Sequence, residues 1–138
     1  MALVGGGGAG NVAGSNPAGI GSGLNYVGDF TYAYSGPVNA SSSTSADTLL
    51  LDFTTGSEII VGTVDFQTTA VQNDPIYLTV LMNGAAVIQG IWDNSGNGQD
   101  HADPFNIVIP SFSHIEVKWG IQGGAGADAT CQVVGRIY

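Results

Sequence analysis

The residues with the clearest potential for chemistry lie between positions 93 and 103, in the stretch DNSGNGQDHAD. Its start matches an EF-hand calcium loop, because Asp93 and Asn97 stand at the spacing of oxygen ligands in that motif. The twelfth position should carry a bidentate glutamate but is Pro104, and strand-like segments flank the loop where helices would be needed. We therefore predict a solvated turn and no established metal site. Asp93, Asn97 and Asp100 are kept as weak candidates for a calcium site of another design.

A glycine-rich run, GGGGAGNVAG at residues 5–14, contains the spacing G-x-G-x-x-G through Gly5, Gly7 and Gly10. In a dinucleotide site this motif follows a strand and opens a helix, whose free N–H groups bind the pyrophosphate. Only four residues precede the run, and further glycines with Pro17 follow it, which a stable helix would not tolerate. The run therefore predicts no nucleotide site, and we expect no cofactor.

Catalytic residue sets are missing from the sequence. The only glutamates, Glu58 and Glu116, are expected at the surface and do not form the facing pair that glycoside hydrolysis needs. Neither His101 nor His114 has a sequence partner that suggests a triad or a zinc site. Cys131, the single cysteine, is expected to pack as a small buried side chain. We predict a protein that is not an enzyme and has no catalytic residues.

The low content of charged residues and the negative net charge indicate which classes of partner the protein can have. The 138 residues suit one domain, and charged residues make up only 9%, against about 25% in typical soluble domains. Such a surface suits a protein that packs against other copies. The net charge is −9, with Lys118 and Arg136 as the only fixed cations, which argues against nucleic acid as a partner. No apolar run is long enough for a signal peptide or a membrane span.

The chain divides into an arm and a sandwich domain. Residues 1–25 are Gly, Ala, Ser and Asn with sparse apolar residues, and residues 26–138 carry the strand signals. Because glycine allows close backbone approach, we expect the arm to run along neighbouring subunits, with an ordinary linker as the alternative. The residues expected to contact a partner are Leu3, Val4, Val12, Pro17, Ile20 and Leu24.

Eight strands are predicted after the arm, and no window has convincing helical periodicity. Asn83-Gly84 is a strong hairpin signal, since both residues accept the positive φ of a type I′ turn. Outward Glu116 and Lys118 alternate with inward apolar residues in HIEVKWGI. The predicted strands cover residues 29–35, 47–53, 58–67, 75–82, 85–92, 105–109, 114–121 and 129–138.

These strands predict an all-β fold, a single eight-stranded antiparallel jelly-roll sandwich with an extended glycine-rich arm. With the strands labelled B to I in chain order, one sheet would be B-I-D-G and the other C-H-E-F. The last strand would then lie beside the first and close an otherwise exposed edge. An immunoglobulin-like sandwich is the alternative, although its tryptophan between paired cysteines is absent.

Two stretches, ALVGGGGAGNVAGSNPAGIGSGLNYVGDFTYAYSG and LLLDFTTGSEIIV, resemble structural proteins of marine tailed bacteriophages, in particular capsid decoration or minor head proteins. The resemblance covers about the first half of the chain. It implies a non-enzymatic virion protein on the capsid surface, a homotrimer that binds capsid protein subunits and other copies of itself. The arm would run under or across neighbouring subunits, and the acidic body would face solvent.

A carbohydrate-binding or receptor-binding sandwich, as in a head fibre or tail tip, is the alternative function. It would use aromatic side chains as platforms for a glycan, and the candidates are Tyr32, Tyr34, Trp92 and Trp119. Trp119 alternates with Ile115 and Val117 and is expected in the core. Trp92 ends a strand beside the polar loop and is the better platform candidate.

Overall fold

The computed structural model describes residues 24–40, 45–69, 75–93, 100–101, 103–122 and 127–138. These residues form an all-β fold with two antiparallel sheets, which confirms the all-β part of the predicted fold. Among them no helix is long and apolar enough to cross a membrane. The strands are β1 Asn25–Val27, β2 Phe30–Tyr34, β3 Val38–Ala40, β4 Thr48–Thr54, β5 Ile60–Thr68, β6 Pro75–Met82, β7 Ala85–Asp93, β8 Asp100–His101, β9 Phe105–Ile109, β10 His114–Ile121 and β11 Ala127–Ile137.

The described residues thus contain eleven strands where the sequence predicted eight. Each of the eight predicted segments corresponds to one of the longer strands; three of them, β6, β9 and β10, have the predicted bounds, and the ends of the others differ by one or two residues. The additional strands β1, β3 and β8 are three, three and two residues long. Two or three residues are too few to show an alternating pattern, so the sequence carries no periodic signal for them.

The larger sheet has seven strands in the order β1-β2-β11-β5-β8, with β3 also paired to β11 and β9 also paired to β5. The long strands β11 and β5 each pair with two different strands, one after the other, along the same edge. β11 pairs β3 through Ala127 to Ala129 and β2 through Gln132 to Arg136. The smaller sheet has the order β4-β10-β6-β7.

The hairpin between β6 and β7 follows its sequence signal. Asn83 has a φ of 52° and Gly84 a φ of 82°, the positive values that a type I′ turn requires. The side-chain amide oxygen of Asn83 accepts a hydrogen bond from the backbone N–H of His114, at 2.8 Å. The turn is thereby tied to the start of the neighbouring strand β10.

The core lies between the two sheets. It is built from the side chains that point inward at every second position of the strands. On β10, Ile115, Val117 and Trp119 are fully buried, as predicted. The Trp119 ring packs against Phe66 of the opposite sheet, with ring centroids 6.1 Å apart and the planes tilted by 56°. Cys131 is also buried in this core, which confirms its predicted packing role.

Candidate interaction surface

The metal-binding hypothesis for the 93–103 loop falls mostly outside the described residues. The backbones of Asp93 and Asp100 lie at the end of β7 and in β8, but their side chains and all of Asn97 are not described. Among the described side chains, no three His, Cys, Asp or Glu residues cluster as metal ligands would. The calcium candidates therefore remain sequence predictions.

Most of the predicted partner-binding arm also lies outside the described residues. This holds for the run from Leu3 to Ile20, including Val4, Val12 and Pro17. Leu24, the last residue in that set, is described. Its side chain is buried in the core of its own chain, directly before β1.

The four aromatic candidates for a glycan platform differ in how they are placed in the structure. Trp119 is fully buried, as expected for a core residue, and its indole Nε1 has no hydrogen-bond partner in the described part of the chain. The side chain of Trp92 is not described. Tyr32 and Tyr34 both lie on β2 and are each 42% exposed. Only these last two are seen together at the surface.

β2 presents three aromatic side chains on one side of the larger sheet. Phe30, Tyr32 and Tyr34 alternate with buried Thr31 and Ala33, so the three rings point away from the core. Residues two apart on a strand are separated by about 6.5 to 7 Å. The rings therefore form a ladder along the strand.

The strand register extends this apolar surface across the sheet. Val27 lies opposite Phe30, Phe30 opposite Arg136, Arg136 opposite Val61, and Val61 opposite Val108. Neighbouring strands are about 4.8 Å apart, so a row of five residues spans roughly 19 Å. We call this surface the aromatic face, and its exposed apolar residues are Val27, Phe30, Tyr32, Tyr34, Val61 and Val108.

Few charges interrupt the aromatic face. The strands β1, β2 and β9 have no charged residue, and β5 and β11 together have Asp65, Asp128 and Arg136. The Arg136 guanidinium lies 3.8 Å from a carboxylate oxygen of Asp29 and 5.7 Å from the ring centre of Tyr138. Its charge is thus shared with a neighbouring acid and an aromatic ring within the same chain.

The outer face of the smaller sheet also has exposed apolar residues, Leu49 on β4 and Val87 and Ile91 on β7, but it carries a cluster of charged and polar side chains as well. His114 Nε2 lies 2.6 Å from Asp52 Oδ1, and Lys118 Nζ lies 3.3 Å from Glu116 Oε1. These four side chains, which we call the charged face, point away from the core on β10 and its neighbour β4. All four are accessible to solvent, so the Lys118–Glu116 ion pair and the polar contact between His114 and Asp52 are expected to be weak.

Two other ionisable groups are perturbed by their surroundings. The Tyr26 hydroxyl donates a hydrogen bond to Glu58 Oε1, and burial together with this carboxylate raises the pKa of Tyr26 above its usual range. Burial, with a smaller effect of the Asp65 charge, raises the pKa of the Cys131 thiol. A buried thiol with a raised pKa is a poor nucleophile. Both groups are neutral at neutral pH.

The sequence prediction missed Phe30, Val61 and Val108 as surface residues. A signal for them was present, since apolar residues occupy both inward and outward positions of FTYAY, IIVGTV and FNIVI. Alternation alone does not say which side of a strand faces the core. The pairing of β2, β11, β5 and β9 decides this, and only the register brings the three residues into one row.

Comparisons with known proteins do not assign this chain to a family. No protein-family model matches the chain, and no curated protein matches it.

Proposed function

We propose that this chain is a non-enzymatic structural protein of a virion, a capsid decoration or minor capsid protein located on the capsid surface. The observation that carries the proposal is the aromatic face. Large contiguous apolar surfaces on proteins often mark a contact with another macromolecule, and we take the aromatic face to be such a contact.

The composition of the face suits a protein partner. Phe30, Val27 and Val108 are each more than half exposed, and full burial of such a side chain is worth about 1.5 to 3 kcal/mol. Aromatic residues and arginine are enriched in protein interfaces, and charged residues are depleted from their centres. The aromatic face has both features, although the whole chain carries a net charge of −9. We take the partner to be a capsid protein subunit.

The strand order supports the jelly-roll assignment, which is part of this proposal. The eight longer strands pair as β2-β11-β5-β9 and β4-β10-β6-β7, the order expected for B-I-D-G and C-H-E-F. In the proposed assembly, residues 1–25 are the arm that contacts capsid subunits or other copies of this chain. Leu24, buried in the sandwich, fixes the end of that arm.

The experiment is the incorporation of variants into particles. We propose Val61→Glu on the aromatic face and Thr79→Glu on the outer side of the smaller sheet as a matched pair. Each replaces a β-branched residue in a strand with partners on both sides. Val61→Glu should reduce occupancy at least tenfold, and Thr79→Glu should leave it at the wild-type value.

Folding is checked for both variants by thermal melting of the free protein. A folded Val61→Glu protein with normal occupancy would contradict the role of the aromatic face. Deletion of residues 1–23 tests the arm in the same assay, and the expected result is a folded sandwich that no longer joins particles. A wild-type protein that is never found in particles would contradict the proposal as a whole.

A second candidate function, glycan binding, is favoured by the ladder of Phe30, Tyr32 and Tyr34. Sugar rings can stack on exposed aromatic side chains, and these three are spaced along one strand. A glycan array with the wild-type protein tests it, with Tyr32→Ala as the variant and Tyr77→Ala on the other sheet as the control. Binding that is lost only in Tyr32→Ala supports this candidate, and no binding by the wild-type protein contradicts it.

A further inference from the structure

β7 is the longest strand at a sheet edge among the described residues. It has nine residues, Ala85–Asp93, and within the described part of the chain it pairs only with β6. An edge strand presents a row of backbone N–H and C=O groups on its free side, and such a row is a template for pairing with another strand. The free edge of β7 therefore calls for an extended strand as its partner.

The usual protections of an edge strand are weak on β7. Proteins protect their edges with charges, prolines or short strands. The end strands of the larger sheet, β1 and β8, are only three and two residues long, and β4 carries the exposed Asp52. By contrast, β7 has no charged residue and no proline between Ala85 and Trp92. Two of its apolar side chains, Val87 and Ile91, are 50% and 70% exposed.

The side chains of β7 alternate regularly from Val87 to Ile91. The pairing with β6 has a bulge just before Ile88, and from Ile88 onward each residue lies opposite one residue of β6. Val87, Gln89 and Ile91 are exposed, whereas Ile88 and Gly90 are partly buried. These five residues thus form a symmetrical pattern centred on Gln89.

This pattern is complementary to itself. In an antiparallel pair of two β7 strands centred on Gln89, Val87 of each copy lies opposite Ile91 of the other. The two Gln89 amides then lie opposite each other, and the bulky Ile88 lies opposite Gly90. A shift by one residue would place outward side chains opposite inward ones. A shift by two would separate Val87 from Ile91.

We propose that β7 is a two-fold interface at which two copies of this chain pair their strands and join their smaller sheets into one sheet of eight strands. A second copy is the occupant because the strand itself supplies the matching partner, apolar opposite apolar and amide opposite amide. The content of only 9% charged residues agrees with self-association. The inference goes beyond the proposed function, since it concerns the free protein and leaves the aromatic face open.

Disulfide formation between copies tests the contact and its register. Opposite residues of antiparallel strands have Cα atoms about 4.5 to 5.5 Å apart, which suits a disulfide. Under mild oxidation, Gln89→Cys should form dimers at least tenfold faster than Val87→Cys, whose two copies would lie about 14 Å apart. A mixture of Val87→Cys and Ile91→Cys should match the rate of Gln89→Cys. The native Cys131 is buried and should not compete.

A charge at the two-fold axis should break the contact. Gln89→Glu would place two carboxylates opposite each other, which is destabilising. Added to both partners of the Val87→Cys and Ile91→Cys mixture, it should slow cross-linking at least tenfold. Gln132→Glu makes the same change at an exposed position of β11 and should have no effect. Thermal melting checks that every variant is folded.

Two results would overturn the interface. Equal cross-linking of Gln89→Cys and Val87→Cys would contradict the register that makes β7 complementary to itself. Absence of cross-linked dimers of Gln89→Cys at the highest soluble concentration would show that a second copy does not occupy this edge. Both measurements use the free protein, so the incorporation experiment decides the proposed function separately.

Discussion

The outer faces of the two sheets differ although both cover the same core. On the smaller sheet, Asp52, Glu116 and Lys118 meet solvent in ion pairs with near neighbours, which is ordinary for a protein surface. On the larger sheet, Phe30 and Val61 lie in one outward row, whereas the exposed apolar residues Leu49 and Ile91 of the smaller sheet lie on its two edge strands. Folding requires apolar residues only on the inward side of each strand. The row of apolar residues on the outer side of the larger sheet is the surface that we propose contacts a partner.

The largest effect is expected for a substitution in the core that both sheets cover. Trp119→Ala should lower the free energy of unfolding by about 3 to 5 kcal/mol, because it leaves a cavity against Phe66. Denaturant unfolding measures the loss. The outward variant Thr79→Ala is the control and should change stability by less than about 0.5 kcal/mol. Similar values for the two variants would contradict the described core.

A smaller loss of stability is expected for substitution of Gly62, at a close backbone contact between β5 and β11 of the larger sheet. A Cβ on Gly62 would lie 2.5 Å from the Cα of Gly135 and closer still to the backbone oxygen of Val134. Gly62→Ala should therefore cost about 1 to 3 kcal/mol. Thr63→Ala, at the next outward position, is the control. Wild-type stability of Gly62→Ala would show that β5 and β11 are spaced differently.

Alkaline pH should weaken the fold through groups of the larger sheet. The pKa values of Tyr26 and Cys131 are raised by folding, so their neutral forms are stabilised in the native state. Above the ordinary pKa values, about 8.5 for Cys and 10 for Tyr, the unfolded chain loses protons that the native chain keeps. Stability is thus complete below these values and falls as the pH rises beyond them.

Thermal melting from about pH 8 to about pH 11 measures this decline. Tyr26→Phe removes one of the two groups and should make the decline above about pH 10 shallower. Asp52→Asn, on the charged face, leaves both groups in place and is the control. An unchanged pH profile in Tyr26→Phe would contradict the role of its hydrogen bond to Glu58.

The smallest effect is expected on the charged face. His114 and Asp52 are each almost half exposed, and exposed ion pairs contribute less than about 1 kcal/mol. Asp52→Asn should therefore change stability by less than that amount, and added salt should reduce the difference. It should also leave attachment to particles unchanged. A large loss of attachment in Asp52→Asn would show that the charged face contacts the particle, which contradicts the proposed role of the aromatic face.

Much of the fold could be predicted from the sequence because its strands alternate strongly. In β10 the apolar and charged positions alternate strictly, and Asn83-Gly84 marks the hairpin between β6 and β7. The short strands β1, β3 and β8 were missed because their formation depends on the long strands beside them. Pairing with a neighbour has no local sequence signal when only two or three residues take part.

The candidate site was less accessible to sequence reasoning. Tyr32 and Tyr34 were recognised as exposed aromatic candidates, but Val61 and Val108 join them only through strands distant in sequence. The hydrogen bonds of the 110–113 connection to Thr55 and Gly56 likewise join segments more than fifty residues apart along the chain. Such features depend on tertiary contacts and carry no local pattern.

The accessibility of the two faces in the assembled particle tests the central claim most directly. Single cysteines placed by Val61→Cys and Thr79→Cys can be labelled with a maleimide, because the native Cys131 is buried. We predict that both react in the free protein, and that in particles Val61→Cys reacts at least tenfold more slowly while Thr79→Cys is unaffected. Equal reactivity of Val61→Cys in free protein and in particles would contradict the account.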